Sequence, residues 1–252
     1  MIVGIDVSHA EPGSDKDSHP AIVASINGQA SQYVAYITGQ KSRIEIVQPL
    51  TDGMVKLLIE FKKRNNVMPE HIIIYRDGVS DGQFQEVIST EVEAIKTALA
   101  LSGYQEEACK IVFIVCQKGH HTRLVYEKSG AEHINVCPGV LVDSHGDNSI
   151  VSSRYNEFYL NSHVAIQGTA KPCKYTLLYD SIGLKMSEIQ LMTYWLTYLY
   201  ARCNRSVSYP TPVYYAHWAS IRAKALASAG ATREELVQIC NEWADKSCMS
   251  FI

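Results

Sequence analysis

Two aspartates stand at the ends of apolar, strand-like runs and could together hold a divalent metal ion. Asp6 follows the run "MIVGI", and Asp77 closes the run "HIIIYRD". A lone aspartate at a strand end is most often a turn or cap residue. If the two strands lie parallel and adjacent, both carboxylates emerge at one edge of the sheet, where their oxygens suit Mg²⁺ or Mn²⁺. Two such ions could clamp the attacking water and the leaving oxygen of a phosphodiester.

The elements that must position these acids follow from the spacing of the apolar runs. The strand candidates "IVGIDVS", "AIVASING" and "QYVAYITG" follow one another with short connections, as in an antiparallel meander. The next two, "HIIIYRD" and "KIVFIVCQK", are each preceded by a segment with a helical apolar stripe, 52–63 and 84–101. This order predicts an α/β fold whose mixed five-stranded central sheet runs β-β-β-α-β-α-β and is flanked by helices. Acids on its first and fourth strands are typical of an RNase H-like nuclease.

The remainder of the chain predicts further strands at 139–144, 158–164 and 174–180, followed by C-terminal helices. Two of these helices have capping-box signals at their starts. The signals are Ser187 with Gln190 and Thr232 with Glu235. Because no linker, low-complexity tract or internal repeat interrupts the chain, residues 1–252 are predicted to form one domain. The segment 143–154 is the best candidate for a mobile loop.

Composition excludes several classes of protein. The net charge of −3 shows no basic excess, so any nucleic-acid surface must be local. Seven cysteines, odd in number and without a CxxC pair, argue against a disulfide framework and a thiolate zinc site. The N-terminus resembles no secretory leader, and no apolar run reaches the length of a membrane span. We therefore expect reduced thiols, no membrane partner and a cytoplasmic location, with the nucleus as the alternative.

Several longer motifs resemble the PIWI domain of eukaryotic Argonaute proteins. They occur in the family's order across nearly the whole chain: "GIDVSH", "IEIVQPL", "YRDGVSDGQF", "QKGHHTRL", "NSHVAIQGTAKP" and "CNRSVSYPTPVYYAHWASIRA". This resemblance implies an RNase H-like fold. It also implies that the chain is the PIWI domain of a larger Argonaute, whose N, PAZ and MID domains are absent from it.

The same resemblance places the family's catalytic Asp-Glu-Asp-His set on four residues, Asp6, Glu45, Asp77 and His217. It implies two Mg²⁺ ions, or Mn²⁺ in their place, with the aspartates and His217 as metal ligands. Glu45 would orient the hydrated metal and the nucleophilic water. In the family this glutamate sits on a mobile finger, and we expect it to be withdrawn here. Without the resemblance, Glu45 would be interpreted as a solvated strand residue and His217 as a hydrogen-bonded core histidine.

A second set of positions resembles the family's contacts to the guide strand. Arg222 follows the matched histidine by five residues, as does the arginine that reaches the guide 5′-phosphate between PIWI and MID. Guanidinium, hydroxyl and amide groups suit phosphate contacts that fix register without reading sequence. For Lys171, Lys118 and Arg123, the alternative interpretation is a solvated surface charge. The remaining contact candidates are Arg202, Ser208, Tyr214, His163, Gln167, Lys171, Lys118 and Arg123.

The resemblance therefore implies a Mg²⁺-dependent endoribonuclease, a slicer that cleaves target RNA paired to a guide small RNA in RNA silencing. Products would carry 5′-phosphate and 3′-hydroxyl ends, the MID domain of the parent chain would be a partner, and the isolated domain would cleave weakly. One alternative is a guide- and target-binding silencing module without efficient cleavage. Another is an unrelated RNase H-like nuclease that cuts DNA or structured RNA without a guide. The complete set of four matched residues favours the slicer, and other silencing partners are not predicted.

Overall fold

The fold is built on one large sheet and six α-helices, in a computed structural model that describes residues 1–105, 108–128, 132–143, 155–246 and 249–252. The strands are β1 (Ile2–Ser8), β2 (His19–Ser25), β3 (Tyr33–Ile37), β4 (His71–Asp77), β5 (Lys110–Gln117), β6 (Val125–Lys128), β7 (Glu132–Asn135), β8 (Val140–Asp143), β9 (Asn156–Asn161) and β10 (Cys173–Asp180). The predicted mobile loop at 143–154 lies outside the described residues except for Asp143. Strands β6 and β7 form a separate antiparallel pair.

The predicted five-stranded core is confirmed. Strand β1 pairs antiparallel with β2 and parallel with β4, β2 pairs antiparallel with β3, and β4 pairs parallel with β5. The sheet does not end there, because β10, β9 and β8 continue it antiparallel to a total of eight strands in the order β3-β2-β1-β4-β5-β10-β9-β8. Strand β10 pairs with the outer side of β5, which would otherwise present unsatisfied backbone groups.

The helices cover both faces of this sheet. They are α1 (Leu50–Asn65), α2 (Phe84–Val87), α3 (Glu93–Leu101), α4 (Met186–Leu196), α5 (Thr211–Ser228) and α6 (Arg233–Asp245). A π-helical turn at Ile88–Val92 interrupts the helix predicted over 84–101. Helices α1 and α3 pack on one face, against side chains such as Ile22, whereas α5 and α6 pack on the other, against Ala21 and Val23. Within the described residues no helix is both long and apolar enough to span a membrane.

The two predicted capping boxes differ in outcome. At α6 the box is confirmed, because the Glu235 amide donates to Thr232 Oγ1 at 3.2 Å and the Thr232 amide donates to Glu235 Oε2 at 2.7 Å. At α4 the predicted start at Ser187 is wrong. The helix begins at Met186, where Glu188 Oε2 accepts the amide of Lys185 at 2.9 Å. Gln190 instead donates to Asp143 on β8 at 3.1 Å.

The crossing of β1 and α5 is the tightest contact that the site depends on. A Cβ atom added to Gly4 on β1 would lie 2.0 Å from the carbonyl oxygen of Pro212 at the start of α5. Only glycine permits this approach. As a result, α5 runs directly over the strand that bears Asp6, and a histidine one and a half turns further along the helix can reach that carboxylate.

We predict that Gly4→Ala destabilises the protein by about 3 kcal/mol, because the new methyl group forces α5 away from β1. Gly28→Ala is the matched control, since a Cβ at Gly28 meets nothing within 4 Å. Urea unfolding followed by circular dichroism measures both. Equal stability of the two variants would contradict the close approach.

Candidate active site

Asp6 and Asp77 lie on the neighbouring parallel strands β1 and β4, at the edge that the sequence predicts. Asp6 is buried, with 7% of its surface exposed. Burial, and next the charge of Asp6, raise the pKa of the Asp77 carboxyl to about 6. The two carboxylates therefore repel each other in a place with little water, and a cation between them would relieve that repulsion.

His217 and Ser220 bring two donors from α5 to one oxygen of Asp6. His217 Nδ1 lies 3.0 Å from Asp6 Oδ2, and this hydrogen bond is the main cause that raises the pKa of the imidazole. The fully buried Ser220 hydroxyl lies 3.1 Å from the same oxygen. Its backbone is held in turn by Ser8, whose hydroxyl donates to the Ser220 carbonyl at 2.9 Å. Asp6 is thus fixed through Oδ2.

Glu45 lies in the loop between β3 and α1, and its carboxylate points to the same edge. Arg76 Nη1 donates to Glu45 Oε1 at 2.9 Å, and His9 Nε2 lies 2.7 Å from Oε2. Gly78, which follows Asp77 with φ +91°, leaves room for this carboxylate, since a Cβ there would lie 2.7 Å from Glu45 Oε1. These contacts place the Glu45 carboxylate on Arg76, His9 and the Gly78 backbone. Among the described contacts, none joins it to the carboxylate of Asp6 or Asp77, so the expectation of a withdrawn Glu45 stays a prediction. Arg76 holds the carboxylate at the backbone that follows Asp77.

Arg76 is fully buried and is the centre of this arrangement. Its Nε lies 3.2 Å from Glu91 Oε2, and its guanidinium also donates to the backbone carbonyls of Asp77 and Glu45. Burial alone would lower the pKa of Arg76, but the carboxylates of Glu91 and Glu45 together raise it above its ordinary value. The arginine therefore stays charged and ties the Glu45 loop to the end of β4 and to the π-helical turn that bears Glu91.

Sequence reasoning missed three of these residues, His9, Arg76 and Glu91. Two of them had a signal. Arg76 is a charged residue inside a strand that is otherwise apolar, and Glu91 falls on the apolar stripe of its predicted helix, four residues from Val87 and from Ile95. Charges at such positions are buried only when they are paired. His9 had no comparable signal, because it follows the first strand in a polar stretch where a histidine is not unusual.

Several of the predicted RNA contacts gather around Lys118 and Tyr209, which line one cavity with Asp77. The ammonium of Lys118 lies 4.5 Å from the centre of the Tyr209 ring, and burial with the charge of Lys118 lowers the pKa of His163 to about 4. Ser208 Oγ and Tyr214 Oη are 2.7 Å apart, and the Tyr214 ring packs edge-on against Tyr209. The structure therefore brings together four of the predicted contacts.

The other predicted contacts lie apart from that group. Arg202 stacks over the Trp218 ring at 4.8 Å. Arg222 is exposed on α5, and Gln167 is exposed in the loop after β9. The guanidinium of Arg123 donates to the Thr122 carbonyl at 2.8 Å, and Lys171 lies close enough to Lys118 to lower its pKa in addition to the larger effect of burial. Among the described contacts, none joins Arg222, Gln167 or Arg123 to the group at Asp77.

The fold agrees with comparisons to known proteins. Residues 1–227 match the family model of the Piwi domain. The chain belongs to the Piwi domain family. Protein argonaute 2 of rice, Oryza sativa subsp. japonica, is 39% identical over 228 residues, which cover 89% of this chain and 21% of that protein. The chain thus spans about a fifth of the length of this Argonaute relative.

Solved structures of Piwi-family proteins are similar along the whole chain. The C-terminal lobe of a budding yeast Argonaute matches with a TM-score of 0.83 at 28% identity, covering 100% of this chain and 53% of that one. Kluyveromyces polysporus Argonaute with a guide RNA matches with a TM-score of 0.82 at 28% identity, covering 100% of this chain and 32% of that one. The RNase H-like fold predicted from the motifs is confirmed.

The potential metal ligands at this edge of the sheet fit the ions that the resemblance to the PIWI domain implies. Asp6 and Asp77 offer carboxylate oxygens and His217 offers an imidazole. Burial, and after it the charge of Asp6, raise the pKa of Asp77, and a divalent cation would relieve the repulsion between the two carboxylates. In the part of the chain that the structure describes, no three His, Cys, Asp or Glu side chains are grouped closely enough to hold an ion alone. A bound Mg²⁺ would therefore take water and substrate oxygens for the rest of its shell, as Mg²⁺ usually does.

We predict that Arg76→Lys lowers the free energy of unfolding by about 3 kcal/mol, because an ammonium cannot bridge both carboxylates and leaves one of them buried without a partner. Urea unfolding measures the loss. Arg233→Lys is the control, since Arg233 makes the same kind of ion pair with Asp17 at the surface and should cost less than about 1 kcal/mol. A loss at Arg76 no larger than that at Arg233 would show that the buried network is not required.

Proposed function

We propose that this chain is the catalytic domain of a small-RNA-guided endoribonuclease, a slicer that cuts target RNA paired to a guide in RNA silencing. The observation that supports this most is the convergence of four distant side chains at one sheet edge. Asp6 and Asp77 lie on adjacent strands, His217 bonds Asp6, and Arg76 holds Glu45 beside Asp77. A protein that only binds RNA has no need of this arrangement.

Each residue has a distinct part in the proposed reaction. Asp6, Asp77 and His217 would hold two Mg²⁺ ions, or Mn²⁺ in their place. When bound, the ions supply an activated water and stabilise the leaving oxygen of the phosphodiester. Glu45 would accept hydrogen bonds from that water and orient it. Because Arg76 and His9 already fix its carboxylate, little ordering would be needed at the moment of attack. The cut would leave 5′-phosphate and 3′-hydroxyl ends.

The proposed RNA path runs beside this edge. Lys118 lies beside Asp77, His163 lies near Lys118, and Ser208 and Tyr214 follow through Tyr209. These four would contact the guide backbone together with Arg202, Gln167, Lys171 and Arg123. Sequence would then be read by pairing between guide and target, while the protein recognises the backbone and the A-form shape. Arg222 would meet the guide 5′-phosphate together with the MID domain of the longer protein. We propose a cytoplasmic or nuclear site of action.

A second candidate function is a guide- and target-binding module that silences without efficient cleavage. One observation favours it: within the described residues, no three potential ligands already enclose a metal ion. Such a module would use the same RNA path and would occupy its target instead of cutting it. The two functions differ in whether paired RNA is cleaved.

The test uses the full-length protein loaded with a single-stranded guide, and then given a complementary end-labelled RNA with Mg²⁺. We predict one cut, opposite the middle of the guide, which is abolished by EDTA and by Asp77→Ala because the metal site loses a ligand. Gly28→Ala, in a turn away from this edge, should cut at the wild-type rate. Product ends can be identified by their sensitivity to phosphatase and to ligase.

Two outcomes would contradict the slicer. Tight binding of the paired target without any cut would favour the binding module. Cleavage that does not require a guide, or that occurs at many sites, would favour an unrelated nuclease of the same fold.

A further inference from the structure

Tyr209 makes a contact with Asp77 that the motifs do not predict. It lies between α4 and α5, two residues before α5 begins, and its hydroxyl donates to Asp77 Oδ1 at 3.2 Å. The amide of Gly78 donates to the same oxygen at 2.8 Å. In the described part of the chain, Asp77 Oδ2 receives no hydrogen bond of its own. The described contacts thus hold the carboxylate through one oxygen and leave the other available.

The Tyr209 ring is itself held on two sides. The ammonium of Lys118 lies 4.5 Å from the ring centre, a distance at which a cation is attracted to the ring face. The Tyr214 ring packs edge-on with a centroid distance of 5.8 Å. The backbone that bears Tyr209 is anchored as well, because the Thr211 hydroxyl donates to the Leu196 carbonyl at the end of α4 at 2.6 Å. The hydroxyl of Tyr209 is therefore aimed at Asp77 by contacts that do not involve Asp77.

We propose that Tyr209 is a positioning residue that fixes the plane of the Asp77 carboxylate, so that its free oxygen is presented to a metal ion. This inference rests on the proposed function, because it needs a metal at Asp77. Ligating carboxylates are commonly oriented by a second hydrogen-bonding group, and the loss of that group typically weakens metal binding by about 10-fold or more. The hydrogen bond from the Gly78 amide alone would leave the Asp77 carboxylate free to rotate about its Cβ–Cγ bond.

A purely structural role for Tyr209 predicts a different result. As a spacer before α5, the residue would act through its ring, which packs against Lys118 and Tyr214. Tyr209→Phe keeps that ring and removes only the hydroxyl. The substitution therefore separates the hydrogen bond to Asp77 from the packing, and it places no new group near the site.

The experiment titrates Mn²⁺ into the full-length protein without guide, by isothermal calorimetry, for the wild type, Tyr209→Phe and Tyr198→Phe. Tyr198→Phe is the matched control, since its hydroxyl bonds Tyr194 on the exposed side of α4. We expect Tyr209→Phe to bind Mn²⁺ about 10-fold more weakly, with an unchanged melting temperature in EDTA, and the control to match the wild type. In guided cleavage, the Mg²⁺ midpoint should rise by a similar factor while KM for the target stays the same.

Two results would overturn the inference, and they are distinguishable from a failure of the proposed function. If Tyr209→Phe keeps the wild-type Mn²⁺ affinity while the wild type cuts guided RNA, the hydroxyl does not position Asp77 and the slicer stands. If the wild type binds no Mn²⁺ and cuts nothing, the inference and the metal-dependent slicer both fail.

Discussion

The side chain of Arg76 is fully buried. It keeps its charge because the carboxylates of Glu91 and Glu45 and the backbone carbonyls of Asp77 and Glu45 accept hydrogen bonds from its guanidinium. A single planar group thereby joins three segments that are far apart in sequence: the Glu45 loop, the end of β4 and the π-helical turn at Glu91. A buried ion pair is not by itself a source of stability. Its effect here is geometric, because it determines where the Glu45 carboxylate lies relative to Asp77.

The opposite side of the site depends on packing. Gly4 lets α5 approach β1 so closely that His217 and Ser220 both reach Asp6 Oδ2. Each aspartate is consequently held through one oxygen, Asp6 by donors from α5 and Asp77 by Tyr209 and Gly78. The remaining oxygens are those that the proposed metal ions would take. A buried arginine, a glycine and several hydroxyl groups thus help to place Asp6, Glu45, Asp77 and His217 at one edge of the sheet.

Much of this could be predicted from the sequence, for identifiable reasons. Regular apolar runs and their spacing predict β1 to β5 in the correct order, and the long motifs predict the family. The extension by β8 to β10 could not be placed, because antiparallel pairing across a long connection leaves no periodic signal. The stretch "RIEIVQ" around Glu45 alternates like a strand, yet it lies in a loop held by Arg76, a contact that no local pattern signals. Tyr209 was missed for a related reason: a tyrosine beside a proline has no signal until the fold brings it to Asp77.

The proposed reaction requires that Glu45 acts from the position in which Arg76 and His9 hold it. The most direct test measures single-turnover cleavage of guide-paired RNA by three variants, Glu45→Gln, His9→Ala and the double variant. We predict a loss of at least about 100-fold for Glu45→Gln and a smaller loss for His9→Ala. The double variant should be no slower than Glu45→Gln, because His9 acts only through that carboxylate. A wild-type rate for Glu45→Gln, or losses that multiply in the double variant, would contradict that requirement.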